Sequence, residues 1–192
     1  MTSLWMPHAI PPPASVPVRG RAGADVAVVG AGITGVMVAH RLQEAGLKVV
    51  RLEAGRVGAL NTGCSTGNLY APLSSGMSAL LQRWDAQVLG DVTRMRAAAV
   101  DAIAACVQHY RIDCGLVRCP LVCAVEAPDP GQLALLDEEM QAFAVAGLGP
   151  VADAGALPFA TAGAFRIDGQ AQLNPDRFTR AMADALAQRG LG

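Results

Sequence analysis

The sequence predicts an α/β protein built on a parallel sheet. Two observations carry that reading. A β-branched apolar run at 25–30, DVAVVG, leads into a helical face and then into a second apolar run at 49–52. Strand, helix and strand within about thirty residues make a βαβ unit, whose crossover is right-handed. Ala and Gly also dominate a chain of 192 residues that is 52% hydrophobic and 16% charged, a composition suited to close helix–sheet packing. The same numbers restrict function. A net charge of −1 and an aromatic content of 4% provide neither the basic footprint nor the stacking platforms of a nucleic-acid binder. No uncharged apolar run reaches the roughly 18 residues of a membrane span.

The N-terminal stretch 1–23 carries three consecutive prolines, Pro11 to Pro13, and reads as an extended arm. A flexible lead-in is the expected role, and a strap over a neighbouring surface is the alternative. The arm lacks the charged start and apolar core of a secretory signal. In the following βαβ unit, residues 25–30 read as a buried parallel strand. Ile33, Val36, Met37, Ala39, Leu42 and Ala45 then share one helical face, and Gly46 ends the helix. His40 on this helix is expected to face solvent. Val49, Val50 and Leu52 form the second strand, which closes on Glu53.

Residues 54–76 are rich in Gly, Ser, Thr and Asn and read as a long functional loop. Residues 77–110 are helical, with a break expected between Asp85 and Gly90. Residues 115–126 read as one bent strand or as two joined at Pro120. Residues 129–148 form a helix with Asp129 as N-cap, Pro130 in its first turn and Gly147 near its end. Residues 162–175 suggest a β-hairpin around Asp168-Gly169. A last amphipathic helix opens on Asn174 and Pro175. A helix ending in glycine is normally followed by a further strand in an α/β chain, so the fold is expected to be incomplete at Gly192.

Five cysteines, Cys64, Cys106, Cys114, Cys119 and Cys123, include no C-x-x-C. They read as reduced thiols of a cytoplasmic protein. Cys114, Cys119 and Cys123 miss an iron–sulfur spacing by one residue, and the expectation is buried structural thiols and no metal site.

The chemistry lies in VAVVGAGITG, residues 26–35. Gly30, Gly32 and Gly35 have the G-x-G-x-x-G spacing. Gly30 permits the tight turn, Gly32 lets backbone approach a pyrophosphate, and Gly35 lets helix and strand pack closely. The helix start, at Ile33 and Thr34, offers N–H groups and a positive dipole end to phosphates. Glu53 ends the second strand, where a carboxylate accepts ribose hydroxyls and repels a 2′-phosphate. The loop at 58–68 then crowds Thr62, Ser65, Thr66 and Asn68 among glycines, within reach of a pyrophosphate and a ring system.

The stretch ADVAVVGAGITGVMVAHRLQEAGLKVVRLEAGRVG followed by NTGCSTGN resembles the FAD-dependent amino-acid and amine oxidoreductases of the D-amino-acid oxidase, glycine oxidase and sarcosine oxidase type, the DAO family. Thr62-Gly63 stands where that family has Ser-Gly, and Thr66-Gly67 where Gly-Gly is usual. The resemblance extends over 24–192 and is strongest in 24–70. It implies a Rossmann-like FAD/NAD(P)-binding domain with the start of an α+β substrate domain. The expected division is a 1–23 arm, a 24–76 FAD-binding βαβ unit with its flavin loop, a 77–160 substrate or cap region and a 161–192 return segment. Carried over by position, Gly30, Gly32 and Gly35 face the pyrophosphate and Glu53 holds the adenosine ribose. Arg56 lies near the adenine or phosphates, and Thr62, Ser65 and Thr66 line the path to the flavin. Ile33, Thr34, Ala54 and Gly67 complete the expected FAD contacts.

The resemblance further implies oxidation of a C–N bond in a small amine or amino acid, with hydride passing to the flavin. A second polypeptide or a further copy of the chain would complete the fold. The sequence singles out no acid or base. His109 and Tyr110 have packing or surface readings, while Asp113 and Arg118 flank the strand region, where Arg118 is considered for a substrate carboxylate. Two alternatives stand beside the oxidoreductase: a non-catalytic or truncated FAD-binding subunit, and an NAD-linked dehydrogenase lacking a flavin loop.

Overall fold

The first apolar run forms strand β1 (Val26–Val29) in the computed structural model, which describes Trp5 and residues 23–189. The proline run of the expected arm lies outside the described residues. Gly30 turns the chain at φ 99°, a left-handed value that glycine adopts without steric cost. Helix α1 (Ile33–Glu44) follows and buries Val36, Ala39 and His40. Gly46 stops it as predicted, at φ 82°. The Gly46 and Leu47 amides donate to the Gln43 and Leu42 carbonyls, satisfying groups that the helix end leaves open. Strand β2 (Val49–Leu52) pairs in parallel with β1, from Val26↔Val49 to Val29↔Leu52.

Beyond this unit the chain forms β3 (Asn68–Leu69), α2 (Met77–Arg83), α3 (Ala86–His109), β4 (Val117–Arg118), β5 (Leu121–Val125), α4 (Pro130–Val145), β6 (Gly163–Ile167), β7 (Ala171–Gln172) and α5 (Pro175–Gln188). The break between α2 and α3 falls at Trp84 and Asp85. The Asp85 carboxylate accepts the Val88 amide at 2.8 Å and so starts the second helix. Asp129 and Asn174 cap α4 and α5 as their sequences predict, accepting amides of Gly131 and Gln132 and of Arg177.

Three expectations are corrected. The first is the burial of β1, where Ala27 is exposed and Val29 is 83% exposed. Parallel strands are buried when both sheet faces are covered. Among the described residues this sheet holds β1 and β2, with α1 packed on them. The second is the hairpin at Asp168-Gly169. β6 and β7 do not pair with each other. β6 pairs antiparallel with β5, Leu121↔Ile167 to Val125↔Gly163, and β7 pairs with β4 and β3. The segment 117–125 thus runs alongside 163–172, and Asp168, Gly169 and Gln170 oppose Cys119 and Pro120 as a bulge. Pro120 has no amide to donate to the ladder, and Gly169 takes φ 78° there.

The third correction is His40, which is only 4% exposed. It shares the inward face of α1 with Val36 and Ala39, at helical spacings of three and four. Its Nδ1 is 3.3 Å from the Tyr110 hydroxyl, and the Arg189 guanidinium lies 4.8 Å over the Tyr110 ring.

The chain divides into two compact units, each interrupted in sequence. The first comprises the chain up to Gly67, Ala105–Leu116 and Leu173 onward. In it α5 packs against α1, burying Phe178, Met182 and Leu186 completely. Cys106 and Cys114 are buried here as structural thiols, and burial pushes both above the ordinary cysteine value.

The second unit comprises Asn68–Ala104 and Val117–Gln172. Its core gathers Met77, Leu89, Ala142, Phe143, Ala146, Phe165 and Ile167. The Phe143 and Phe165 rings meet edge to face at 5.2 Å. Glu139 of α4 accepts the Met77 and Ser78 amides at 2.6 and 2.9 Å, placing a carboxylate on the N-terminus of α2. Cys123 is half-buried and its thiol is also pushed up by burial, while Cys119 is half-buried in the same segment.

Candidate functional site

The glycine-rich turn joins β1 to α1, and each glycine answers to a distinct constraint. A Cβ on Gly35 would lie 2.1 Å from the Gly30 carbonyl oxygen, so only glycine lets α1 sit this close to its strand. Gly30 needs its positive φ and has open space around it. A Cβ on Gly32 would stand 3.1 Å from Thr62 Oγ1. Gly32 also begins α1 without a side-chain cap of its own. That role falls to Thr62, whose hydroxyl oxygen accepts the Ile33 amide at 3.0 Å. The loop residue expected on the phosphate path therefore stands at the positive end of the helix.

Glu53 follows β2 directly and is exposed. Its Oε2 accepts the Ala31 amide at 2.7 Å, and its Oε1 accepts the Gly55 amide at 2.8 Å. These two bonds hold its carboxyl below the ordinary glutamate value, the Ala31 bond most strongly, with partial burial opposing them. A carboxylate has about four lone-pair sites, so capacity remains for outside donors. The Gly58 amide donates to the Ala31 carbonyl at 3.0 Å, binding the loop to the turn a second time.

The remaining predicted residues lie around this centre. Thr34 is exposed in the first turn of α1, and Ala54 is exposed beside Glu53. Arg56 turns toward α5, its Nη1 3.9 Å from Asp176 Oδ1. Ser65 and Thr66 are exposed further along the loop. The Ser65 carbonyl accepts the Trp5 indole N–H at 2.8 Å, so one residue of the expected arm touches the loop. Gly67 is buried, and a Cβ there would meet the Leu173 carbonyl oxygen at 2.3 Å. The Leu173 amide in turn donates to the Gly67 carbonyl at 3.0 Å. Sequence reasoning missed Leu173 and Asp176 because their relation to the loop exists only once α5 has packed.

Arg118, in the other unit, is occupied by its own neighbours. It bonds Asp101 at 2.6 Å and the Gly169 carbonyl at 2.8 Å. These bonds join β4 to helix α3 and to the Gly169 turn, and the guanidinium stays partly exposed.

The arrangement suits an adenine dinucleotide. The turn brings bare backbone to the surface at Gly32, the helix start supplies positive potential, and Glu53 presents a fixed carboxylate.

Comparison with known proteins agrees. Residues 25–191 match the DAO family, described as FAD dependent oxidoreductase. The chain is 32% identical over 117 residues to gamma-glutamylputrescine oxidoreductase of Escherichia coli (strain K12), covering 61% of this chain and 27% of that protein. Glycine oxidase from Bacillus cereus ATCC 14579 superposes with a TM-score of 0.60 at 20% identity, over 88% of this chain and 45% of that one. L-Amino acid deaminase from Proteus myxofaciens, in complex with anthranilate, superposes with a TM-score of 0.70 at 16% identity, over 95% of this chain and 40% of that one. The chain thus spans less than half the length of each of these relatives. The family match extends from β1 through α5, and the chain belongs to the FAD-dependent oxidoreductase family.

Proposed function

We propose that this chain forms the dinucleotide-holding part of a flavoenzyme that oxidises a C–N bond in a small amine or amino acid. One observation carries the reading: Glu53, at the end of β2, is bonded to Ala31 inside the glycine-rich turn at 2.7 Å. That bond ties the ribose-accepting carboxylate to the backbone that approaches the pyrophosphate. The names of the relatives supply the substrate class, since glycine, L-amino acids and gamma-glutamylputrescine are all amino compounds.

In this reading the backbone at Gly32 and the amides of Thr34 and Gly35 in the first turn of α1 receive the pyrophosphate, the Ile33 amide being held by Thr62. Glu53 takes the two ribose hydroxyls on its outward lone pairs. Thr62 keeps the helix start and the loop in one arrangement. Ser65 and Thr66 provide hydroxyls along the loop toward the ring system, with Ile33, Thr34, Ala54 and Gly67 forming its backbone surroundings. When bound, the flavin supplies the hydride acceptor for C–N oxidation.

The exposed Val29 of β1 favours a further segment over this strand, supplied by another stretch of polypeptide or a second copy. Among the described residues, no helix is long and apolar enough to cross a membrane. The free cysteines suit a reducing cytoplasm.

The test is purification followed by absorbance spectroscopy and substrate screening. Bound flavin with two visible bands, bleached on adding an amine or amino acid, is the expected result. A colourless chain that binds NADH instead would refute the flavin assignment.

A further inference from the structure

We propose that Asp176 is a positioning residue that holds the cofactor loop in its binding shape from behind. It lies in the first turn of α5, where a carboxylate usually stays in water and interacts with the helix dipole. Here it is only 1% exposed. Burying a carboxylate is costly unless a charge partner compensates. Two arginines converge on the same oxygen: Arg180 Nε at 3.3 Å and Arg56 Nη1 at 3.9 Å. Arg180 lies one turn along α5 and is itself 8% exposed. Arg56 belongs to the loop.

Asp176 also lies beside the loop backbone at a second point. A Cβ on Gly58 would stand 3.6 Å from Asp176 Oδ1 and 3.7 Å from the Thr179 side chain. Gly58 is the junction of the loop. Its amide donates to the Ala31 carbonyl of the glycine-rich turn, and its carbonyl accepts the Gly63 amide at 2.8 Å. Asp176 therefore supports the segment between Glu53 and Thr62 through an ion pair at Arg56, and it stands next to Gly58, where a side chain on the loop would meet it. Without that support Glu53 and Thr62 remain in the chain, but the backbone connecting them loses its fixed path.

The consequence for FAD rests on the flavin reading above, whereas the hold on the loop does not. The experiment combines amide hydrogen exchange on the flavin-free chain with FAD titration by fluorescence quenching. It uses the wild type, Asp176→Asn, Asp176→Glu and Arg56→Gln. Arg56→Gln removes the loop's charge toward Asp176 and tests the same link should Asp176→Asn fail to fold. Exchange at Gly58 and Gly63 is expected to rise about tenfold in Asp176→Asn and Arg56→Gln, with FAD weakened about tenfold, the worth of one charged interaction. Exchange in β1 and β2 should stay at the wild-type rate, and Asp176→Glu should recover part of the affinity. Wild-type exchange and wild-type FAD affinity in both neutralising variants would overturn the positioning role. A wild-type chain that binds no FAD would overturn the flavin reading, and with it the cofactor half of this proposal.

Discussion

Thr62 Oγ1 accepts the amide of Ile33 at 3.0 Å, so a loop residue caps a helix that begins 29 positions earlier. The helix has no side-chain cap from its own N-cap residue, Gly32. Glycine at that position leaves backbone open to a phosphate, and the cap has to come from elsewhere. Thr62→Val keeps the shape and removes the acceptor. It should lower stability by about 1 kcal/mol in urea denaturation, the usual value of an N-cap. Thr62→Ser should retain most of it. Equal stability for Thr62→Val and wild type would mean that the cap contributes nothing.

The glycines of the turn should respond to alanine in a definite order. At Gly35 the added Cβ meets backbone, the Gly30 carbonyl oxygen at 2.1 Å, which cannot rotate away. Gly35→Ala should cost about 3 kcal/mol, at the upper end of overpacking. At Gly30 an added Cβ would meet no atom within 4 Å, and the cost is that of holding alanine at φ 99°, about 1–2 kcal/mol. Thermal denaturation of the two variants gives the order directly. A Gly30 variant less stable than the Gly35 variant would contradict it.

Much of this site is legible in the sequence because its parts are local. The spacing of Gly30, Gly32 and Gly35, the apolar run before them and the acid after β2 all report on a single βαβ unit. The caps Asp129 and Asn174 are equally local. The Asp168-Gly169 pair marks a change of direction, but the strands it separates find their ladders elsewhere. Turn chemistry does not specify which distant segment offers a free edge. His40 looks like a polar helix residue until Tyr110 packs over it, and Asp176 looks like an ordinary first-turn acid until α5 closes on Arg56. In each case the decisive partner lies far along the chain.

Acid should weaken the unit that contains His40. Burial holds its imidazole below the ordinary histidine value, against the raising effect of Glu44. Arg41 on α1, His109 at the end of α3 and Arg189 beyond α5 lower it further. The unfolded chain therefore takes up this proton at a higher pH than the folded one. Stability should be full above the ordinary histidine range and decline as pH falls through it. A neutral ring also leaves one nitrogen to accept from the Tyr110 hydroxyl. Melting temperatures from pH 8 to pH 5, on the order of the histidine range, should show this decline, and His40→Gln should flatten it. An unchanged slope in that variant would assign the effect to other groups.

At Glu53 hydrogen bonds to the charged form outweigh burial, and this predicts a different pH profile. The Ala31 and Gly55 amides hold its carboxyl below the ordinary glutamate value. Its stabilising contribution is thus complete above that value and is lost only as pH falls through the lower, folded one. FAD affinity should stay level as pH drops from neutrality to the ordinary glutamate range and fall below it. Glu53→Gln should remove that final fall.

The most direct measurement is an FAD titration of the wild-type chain beside Glu53→Ala, followed by flavin fluorescence, with melting temperatures recorded for both. Two ribose hydroxyls on a fixed carboxylate amount to about a hundredfold in affinity. Wild-type chain that saturates with one FAD, and a Glu53→Ala chain that binds about a hundredfold more weakly while still folded, is the result predicted. Equal FAD affinity in the two folded chains, or no FAD bound by the wild type, would contradict the assignment of Glu53 and the glycine-rich turn as the cofactor site.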